Sequence, residues 1–205
     1  MSPISLLLAT GNKGKQKELS FLLSGGPWRL YLPSEVDVDV QVEETGETYA
    51  ANAYLKARAW ARATGMWALA DDTGLEVEAL EGAPGLYSAR FGPPDRPLKS
   101  FAERRAYLLQ LLQNHPRPWT ARFRCVVALV SPQGGVLFAE GVLLGEIIPE
   151  ERGTHGFGYD PIFYLPDQGR TLAELTLEEK NRISHRARAL QALLPALEAL
   201  ARSPT

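Results

Sequence analysis

Apolar runs of strand length alternate with helical patterns from the start of the chain. Ile4 to Ala9 is a continuous apolar stretch, followed by the glycine-bearing turn Thr10-Gly11-Asn12-Lys13-Gly14-Lys15. From Gln16 to Leu23, the leucines at 19, 22 and 23 fall on one helical face. Strand, turn and helix in this order leave backbone N–H groups pointing outward at a helix N-terminus, where the helix dipole also favours an anion. The spacing does not fit the strict P-loop pattern, so an ordinary strand-to-helix turn remains an equal reading. Gly25-Gly26-Pro27 closes the helix, and Trp28 to Leu32 resumes as a short strand. An acidic segment with Val36, Val38, Val40 and Val42 then leads through Glu43-Glu44-Thr45-Gly46-Glu47-Thr48 into an alanine-rich helix from Tyr49 to Thr64.

The pattern next reaches Ala68-Leu69-Ala70-Asp71-Asp72-Thr73-Gly74. It predicts a buried strand that delivers two carboxylates to its carboxyl end before a Thr-Gly turn. Buried acids need a cation, a proton or a metal beside them, which makes this stretch a candidate site; a turn capped by its own Asp side chains is the plainer alternative. Leu75 to Leu80 alternates as a half-exposed strand, and a turn-rich loop runs from Gly82 to Pro94. Phe101 to Leu112 has the helical period, and Thr120 to Val130 with Val136 to Leu144 forms a hairpin around Pro132-Gln133-Gly134-Gly135.

Glycines flank an aromatic in Gly156-Phe157-Gly158-Tyr159-Asp160. Such a segment lets backbone approach a flat ligand while the ring stacks on it; in isolation it reads first as an aromatic-plugged turn at a sheet edge. Thr176 and Glu179 have the form of a capping box, opening a helical region that runs to Leu200. A parallel-type beginning and an antiparallel middle give an α/β fold with a long central sheet and a hairpin lobe.

Composition narrows the function classes. The chain of 205 residues, 45% hydrophobic, suits a single domain over residues 1–205. A net charge of -2 argues against a protein that coats a nucleic-acid backbone, so any anionic substrate must be held by a local cluster of cations. Cys125 lies in an apolar run and reads as a core residue, with no disulfide possible within one chain. The apolar start has no basic leader and no run is long enough to span a bilayer, which predicts a cytoplasmic protein without membrane association. Glu47 suits a helix-dipole complement, Glu43 sits too far ahead of the helix for that, and Lys56 taken alone reads as a solvated surface lysine.

Six blocks occur in one order: Thr10 to Lys15, Glu43-Glu44-Thr45-Gly46, Asp71-Asp72-Thr73-Gly74, Ala83-Pro84-Gly85-Leu86-Tyr87-Ser88-Ala89-Arg90, Phe157-Gly158-Tyr159-Asp160-Pro161 and Ser184-His185-Arg186. As a set they resemble the inosine/xanthosine triphosphate pyrophosphatases, which remove deaminated purines from the nucleotide pool. The resemblance implies an elongated central mixed β-sheet with flanking helices, two lobes separated by a nucleotide-binding cleft, and a homodimer. It also implies Mg2+-dependent hydrolysis of ITP, XTP and their deoxy forms to monophosphate and pyrophosphate, with no stable nucleic-acid partner.

Matched by motif, Thr10, Gly11, Asn12, Lys13, Gly14 and Lys15 would cradle the triphosphate, with Asn12 and Lys15 as its main side-chain contacts. Glu43 and Asp72 would hold the metal, with Asp72 also accepting the proton of the attacking water. Thr73 would touch the substrate, and Lys56 and Lys180 would neutralise phosphate charge. Phe157, Gly158, Tyr159 and Asp160, with His185 and Arg186, would form the base pocket, Arg186 donating to the purine O6 and Asp160 accepting from N1–H. Successive strand residues point to opposite faces, so Asp71 is expected to be structural. Two alternatives stay open: a pyrophosphatase of the related septum-inhibitor type acting on pyrimidine or modified nucleotides, and a nucleotide- or RNA-binding module without catalysis. Paired carboxylates beside a phosphate weigh against the second unless a metal joins them.

Overall fold

The computed structural model describes residues 3–202. Its elements are β1 (Ile4–Leu8), α1 (Lys13–Leu22), β2 (Trp28–Tyr31), α2 (Tyr49–Thr64), β3 (Trp67–Val77), β4 (Pro84–Gly85), α3 (Phe101–Leu112), β5 (Trp119–Val130), β6 (Val136–Ile147), β7 (Phe163–Leu165), β8 (Arg170–Thr171), α4 (Leu177–Ile183) and α5 (His185–Arg202). One open sheet runs in the order β2-β1-β3-β5-β6-β7-β8, with β4 attached to β3. β1 is parallel to both β2 and β3, while β4 on β3, β7 on β6 and β8 on β7 are antiparallel. The expected mixture of a parallel beginning with antiparallel pairs is therefore present.

Three elements differ from the pattern reading. The strand bearing the acids does not end in a Thr-Gly turn: β3 continues for eleven residues through Thr73 and Gly74. Its early residues pair with β1 and its late residues with β4, so neighbours at both ends hold the intervening backbone extended. α1 begins at Lys13, three residues earlier than its leucines suggest, because the Asn12 side chain accepts from Gly14 N and Lys15 N and starts the helix there. The C-terminal helical region is two helices, separated by extended backbone at Ser184.

The described residues form two compact units. The first runs to Asp72 and adds 125–141 and the residues from His185 onward; the second holds 73–124 and 142–184. In the first, strand alternation sorts the core by face. Leu6, Leu8, Leu69, Cys125, Val127 and Leu129 pack with Leu19 of α1, with Leu23 just past its end and with Leu190, Leu193 and Leu197 of α5. Leu7, Ala9, Ala68, Ala70, Ala128 and Val130 pack instead with Ala53, Ala57, Trp60 and Ala61 of α2. Each fully buried Leu is worth roughly 1.5–3 kcal/mol, so the two faces fix the register strongly. Gly141 of β6 lies so close to α5 that a Cβ there would be 2.1 Å from the His185 carbonyl oxygen.

The second unit has one cluster, in which Leu75, Val77, Phe123 and Ile147 meet Leu108 and Leu112 of α3, Tyr159 and Phe163. The α3 N-terminus is held by a complete capping box between Ser100 and Glu103, and the expected box of Thr176 and Glu179 starts α4.

Candidate active site

Alternation along β3 decides where the two acids go. Asp71 follows Leu69 onto the face covered by α1 and α5, and Asp72 follows Ala70 onto the face covered by α2. Asp71 is buried, and its Oδ2 lies 3.0 Å from Lys15 Nζ and accepts from Arg186 Nη2 at 3.1 Å and Nε at 3.3 Å. Arg186 Nη1 also donates to Glu18, itself buried on α1. Burial alone would raise the Asp71 pKa, but the charges of Lys15, Arg186 and Lys56 hold its carboxyl far below the usual carboxylate range. Asp71 is thus an ionised, doubly compensated group.

Asp72 has a different setting. Its Oδ2 accepts from Asn52 Nδ2 at 3.1 Å, and its Oδ1 lies 3.7 Å from Lys56 Nζ. Burial pushes its pKa above the ordinary value, against the opposing pull of Lys56, Lys15 and Asn52, and the nearby Glu44 adds to the rise. Lys56 also donates to Glu44 Oε1 at 2.6 Å. Burial disfavours its ammonium, but Asp71, Asp72 and Glu44 outweigh that and raise its pKa, so Lys56 is charged. Read alone as a surface lysine, Lys56 instead has a side chain only 15% exposed, turned back to the acids by its place on α2. Asn52, one helical turn before it, accepts from Gly46 N at 2.8 Å through Oδ1 and so joins the acidic loop to Asp72.

The turn preceding α1 presents Gly11, Asn12 and Lys13 to solvent, with Thr10 half-buried. Asn12 N donates to Thr10 Oγ1 at 3.2 Å, and Gln16 Nε2 donates to Thr10 O at 2.7 Å. Asn12 Oδ1 takes the Gly14 and Lys15 amides, so its oxygen shapes the turn. Glu43 is exposed, whereas Glu44 is the acid brought to Lys56 and Asp72. Thr73, half-buried, is the first residue of the second unit.

The second unit builds its own cluster around Phe157. Phe157 N donates to Asp160 Oδ2 at 2.8 Å, and Lys180 Nζ of α4 lies 2.5 Å from the same oxygen. Asp160 and Lys180 are both buried, and the Lys180 ammonium sits 4.9 Å from the Phe157 ring centroid. Gly156, at φ +73°, allows this lock: a Cβ there would stand 2.1 Å from Asp160 Oδ2. Tyr159 is buried and its hydroxyl donates to Ser88 O at 2.9 Å, fixing the segment to the Ala83–Arg90 loop. Phe157, Gly158, Tyr159, Asp160 and Lys180 are thereby brought together. His185 and Arg186 belong to the first unit, where both are buried at the start of α5. Arg186 donates to Glu18 and Asp71 of its own unit, so its buried guanidinium compensates two buried carboxylates there.

A sequence model of the Ham1 family matches residues 6–196. The chain belongs to the Ham1 family. It is 48% identical over 197 residues to a dITP/XTP pyrophosphatase of Nostoc sp., covering 95% of each chain. It is 46% identical to the dITP/XTP pyrophosphatase of Thermus thermophilus, covering 94% of this chain and 91% of that one. Among solved structures, a HAM1 protein from Coxiella burnetii superposes with a TM-score of 0.84 at 41% identity, covering 96% of this chain and 99% of that one. The Staphylococcus aureus Ham1 protein gives 0.82 at 38%, with the same coverage. Within this Ham1 chain, Glu18, Glu44 and Asn52 join the cluster without having been singled out by motif. Glu18 had one signal: a charged residue beside Leu19 on the apolar side of α1, where only a paired acid is stable.

Proposed function

We propose that this chain hydrolyses triphosphates of deaminated purines, dITP and XTP among them, to the nucleoside monophosphate and pyrophosphate. The observation that carries the reading is the meeting of Asp72 with Lys56 and Asn52, on a strand whose preceding residue binds Lys15 at the edge of the glycine-bearing turn. The names of the relatives, dITP/XTP pyrophosphatases of nearly the same length, support it.

Cleavage between the α- and β-phosphates builds negative charge on the departing pyrophosphate, and catalysis consists mainly of positioning and of stabilising that charge. Thr10 to Lys15 contribute backbone N–H groups and the Lys15 ammonium, and Lys56 contributes a second cation. Asp72 orients the attacking water and accepts its proton. Asn52 fixes that carboxylate by holding one of its oxygens. The donor chemistry fits Mg2+, which takes one or two carboxylates and keeps several waters, and among the described residues no larger group of acids, His or Cys is gathered. Asp72 and Glu43 would hold it; when bound, Mg2+ supplies Lewis-acid stabilisation of phosphate charge.

In the second unit Phe157 offers a face for a purine, ordered by Asp160 and Lys180, with Gly158 and Tyr159 completing the segment. Lys180 is given that ordering task beside its proposed phosphate contact. His185 and Arg186 open α5, and Arg186 holds Asp71 and through it Lys15. The resemblance also supports a homodimer working in the cytoplasm.

The test is product analysis with dITP, XTP, dATP, dGTP and dTTP, with and without Mg2+. Monophosphate and pyrophosphate from dITP and XTP, lost without metal and lost in Asp72→Asn, are expected. Orthophosphate with a diphosphate left over would mean that a different bond is cut. Preference for dTTP would favour the septum-inhibitor type, and binding without turnover would leave only a nucleotide-binding module.

A further inference from the structure

The Phe157 segment is fixed a second time, from outside, by a residue that no motif points to. Arg105 lies in the middle of α3, with a side chain only 12% exposed. Its Nε and Nη2 donate to the two carboxylate oxygens of Glu151 at 2.7 and 2.9 Å, a bidentate pair that fixes the plane of the guanidinium. Its remaining arm, Nη1, donates to the carbonyl oxygen of Gly158 at 2.7 Å. Gly158 follows Phe157 directly and has φ +67°, so the backbone is held on both sides of the aromatic, by a charged donor at the Gly158 carbonyl and by Asp160 at the Phe157 amide. One turn earlier on α3, Phe101 packs edge-on against Tyr159 at a centroid distance of 5.6 Å.

We propose that Arg105, oriented by Glu151, is a positioning residue for the base: it sets the Gly158 peptide, and hence the Phe157 ring, in the attitude that a purine stacks on. The proposal rests on the function given above. Arg105 touches neither base nor phosphate, and its effect passes through one carbonyl group. A charge-assisted hydrogen bond to a peptide that a ligand must find already placed affects ground-state and transition-state binding alike. Loss of the donor therefore appears in KM and leaves the chemical step alone.

The experiment is steady-state kinetics of the full chain with dITP, with Arg105→Met, Arg105→Lys and Glu151→Gln compared with the unsubstituted protein, each also followed by thermal unfolding. Arg105→Met is expected to raise KM for dITP roughly tenfold with kcat within about twofold. Arg105→Lys retains one donor without the fork and recovers part of the loss. Glu151→Gln keeps the Gly158 contact and raises KM less than Arg105→Met. If Arg105→Met does not fold, the other two variants carry the test through the same split between KM and kcat. An unchanged KM in folded variants, or a fall in apparent kcat that tracks lost folded protein while KM stays put, overturns the proposal. If the unsubstituted protein does not turn over dITP, the functional reading fails instead, and the two failures are distinct.

Discussion

Replacing Arg186 with Met tests whether its guanidinium is a structural counter-ion or a contact reserved for substrate. The residue is 1% exposed and lies between two acids that are themselves buried, Asp71 and Glu18. Met nearly fills the space but removes the charge, leaving Asp71 to Lys15 and depriving Glu18 of this partner. Breaking a buried ion pair from one side costs about 3–5 kcal/mol, because the remaining charge is left in a poorly polarisable interior. Against a total stability of roughly 5–15 kcal/mol, that is at least about a fifth of it. For a chain of this size it corresponds to a fall in Tm of roughly 6–20 °C. The assay is urea denaturation at neutral pH, followed by tryptophan fluorescence, for Arg186→Met, Glu18→Gln and the double variant. The double variant is expected to be more stable than Arg186→Met alone, since Glu18→Gln removes the buried charge that the Arg186 guanidinium faced. An Arg186→Met protein within about 1 kcal/mol of the parent would refute the argument. If that protein had also lost its preference for dITP over dATP, the side chain would be a base contact.

Gly141→Ala should destabilise the first unit by about 1–3 kcal/mol in the same urea assay, because the new Cβ meets backbone of α5, 2.1 Å from His185 O and 2.4 Å from Ala189 N. Acid should weaken three N-terminal caps together. Glu103, Glu174 and Glu179 each accept from backbone N–H groups, at Ser100, Thr171 and Thr176 respectively, which lowers their pKa below the ordinary 4.5. With the folded value depressed, their stabilisation is complete above the unfolded pKa and is lost as pH falls through the folded one. The urea midpoint should therefore fall between about pH 5 and 3, and fall less in the triple Glu→Gln variant, which has no such proton to gain. An equal fall in both proteins would mean that the caps do not titrate as described.

The strand-turn-helix at Thr10 to Lys15, the capping box of Thr176 and Glu179 and the hairpin were legible because each depends on neighbours in sequence. The divergence of Asp71 and Asp72 was legible as well, since strand alternation is a local property. The continuation of β3 was not: Thr73-Gly74 is a turn signal, and only its tertiary partners keep it extended. Lys56 taken alone read as a surface lysine for the same reason, and only the resemblance drew it to a site, because burial of a lysine depends on acids distant in sequence. Asn52 had a usable signal in its spacing from Lys56, one helical turn apart. Arg105 had none, since its partners Glu151 and Gly158 lie 46 and 53 residues away. Arg186 was legible as a motif residue, but its pairing with Glu18 and Asp71 was not, since they lie 168 and 115 residues away.

The adjacent acids of β3 also constrain how this chain can change. Their sequence identity is the same, yet one is an anion paired with Lys15 and Arg186 and the other a buried carboxylate held by Asn52 beside Lys56. Only the parity of the strand distinguishes them. A single-residue insertion or deletion between Leu69 and Asp71 would exchange their environments, turning a carboxylate toward α2 while shifting the neighbouring apolar residues out of their layers. This short stretch should therefore tolerate substitution better than any change in length, since chemistry and core are read from one reading frame.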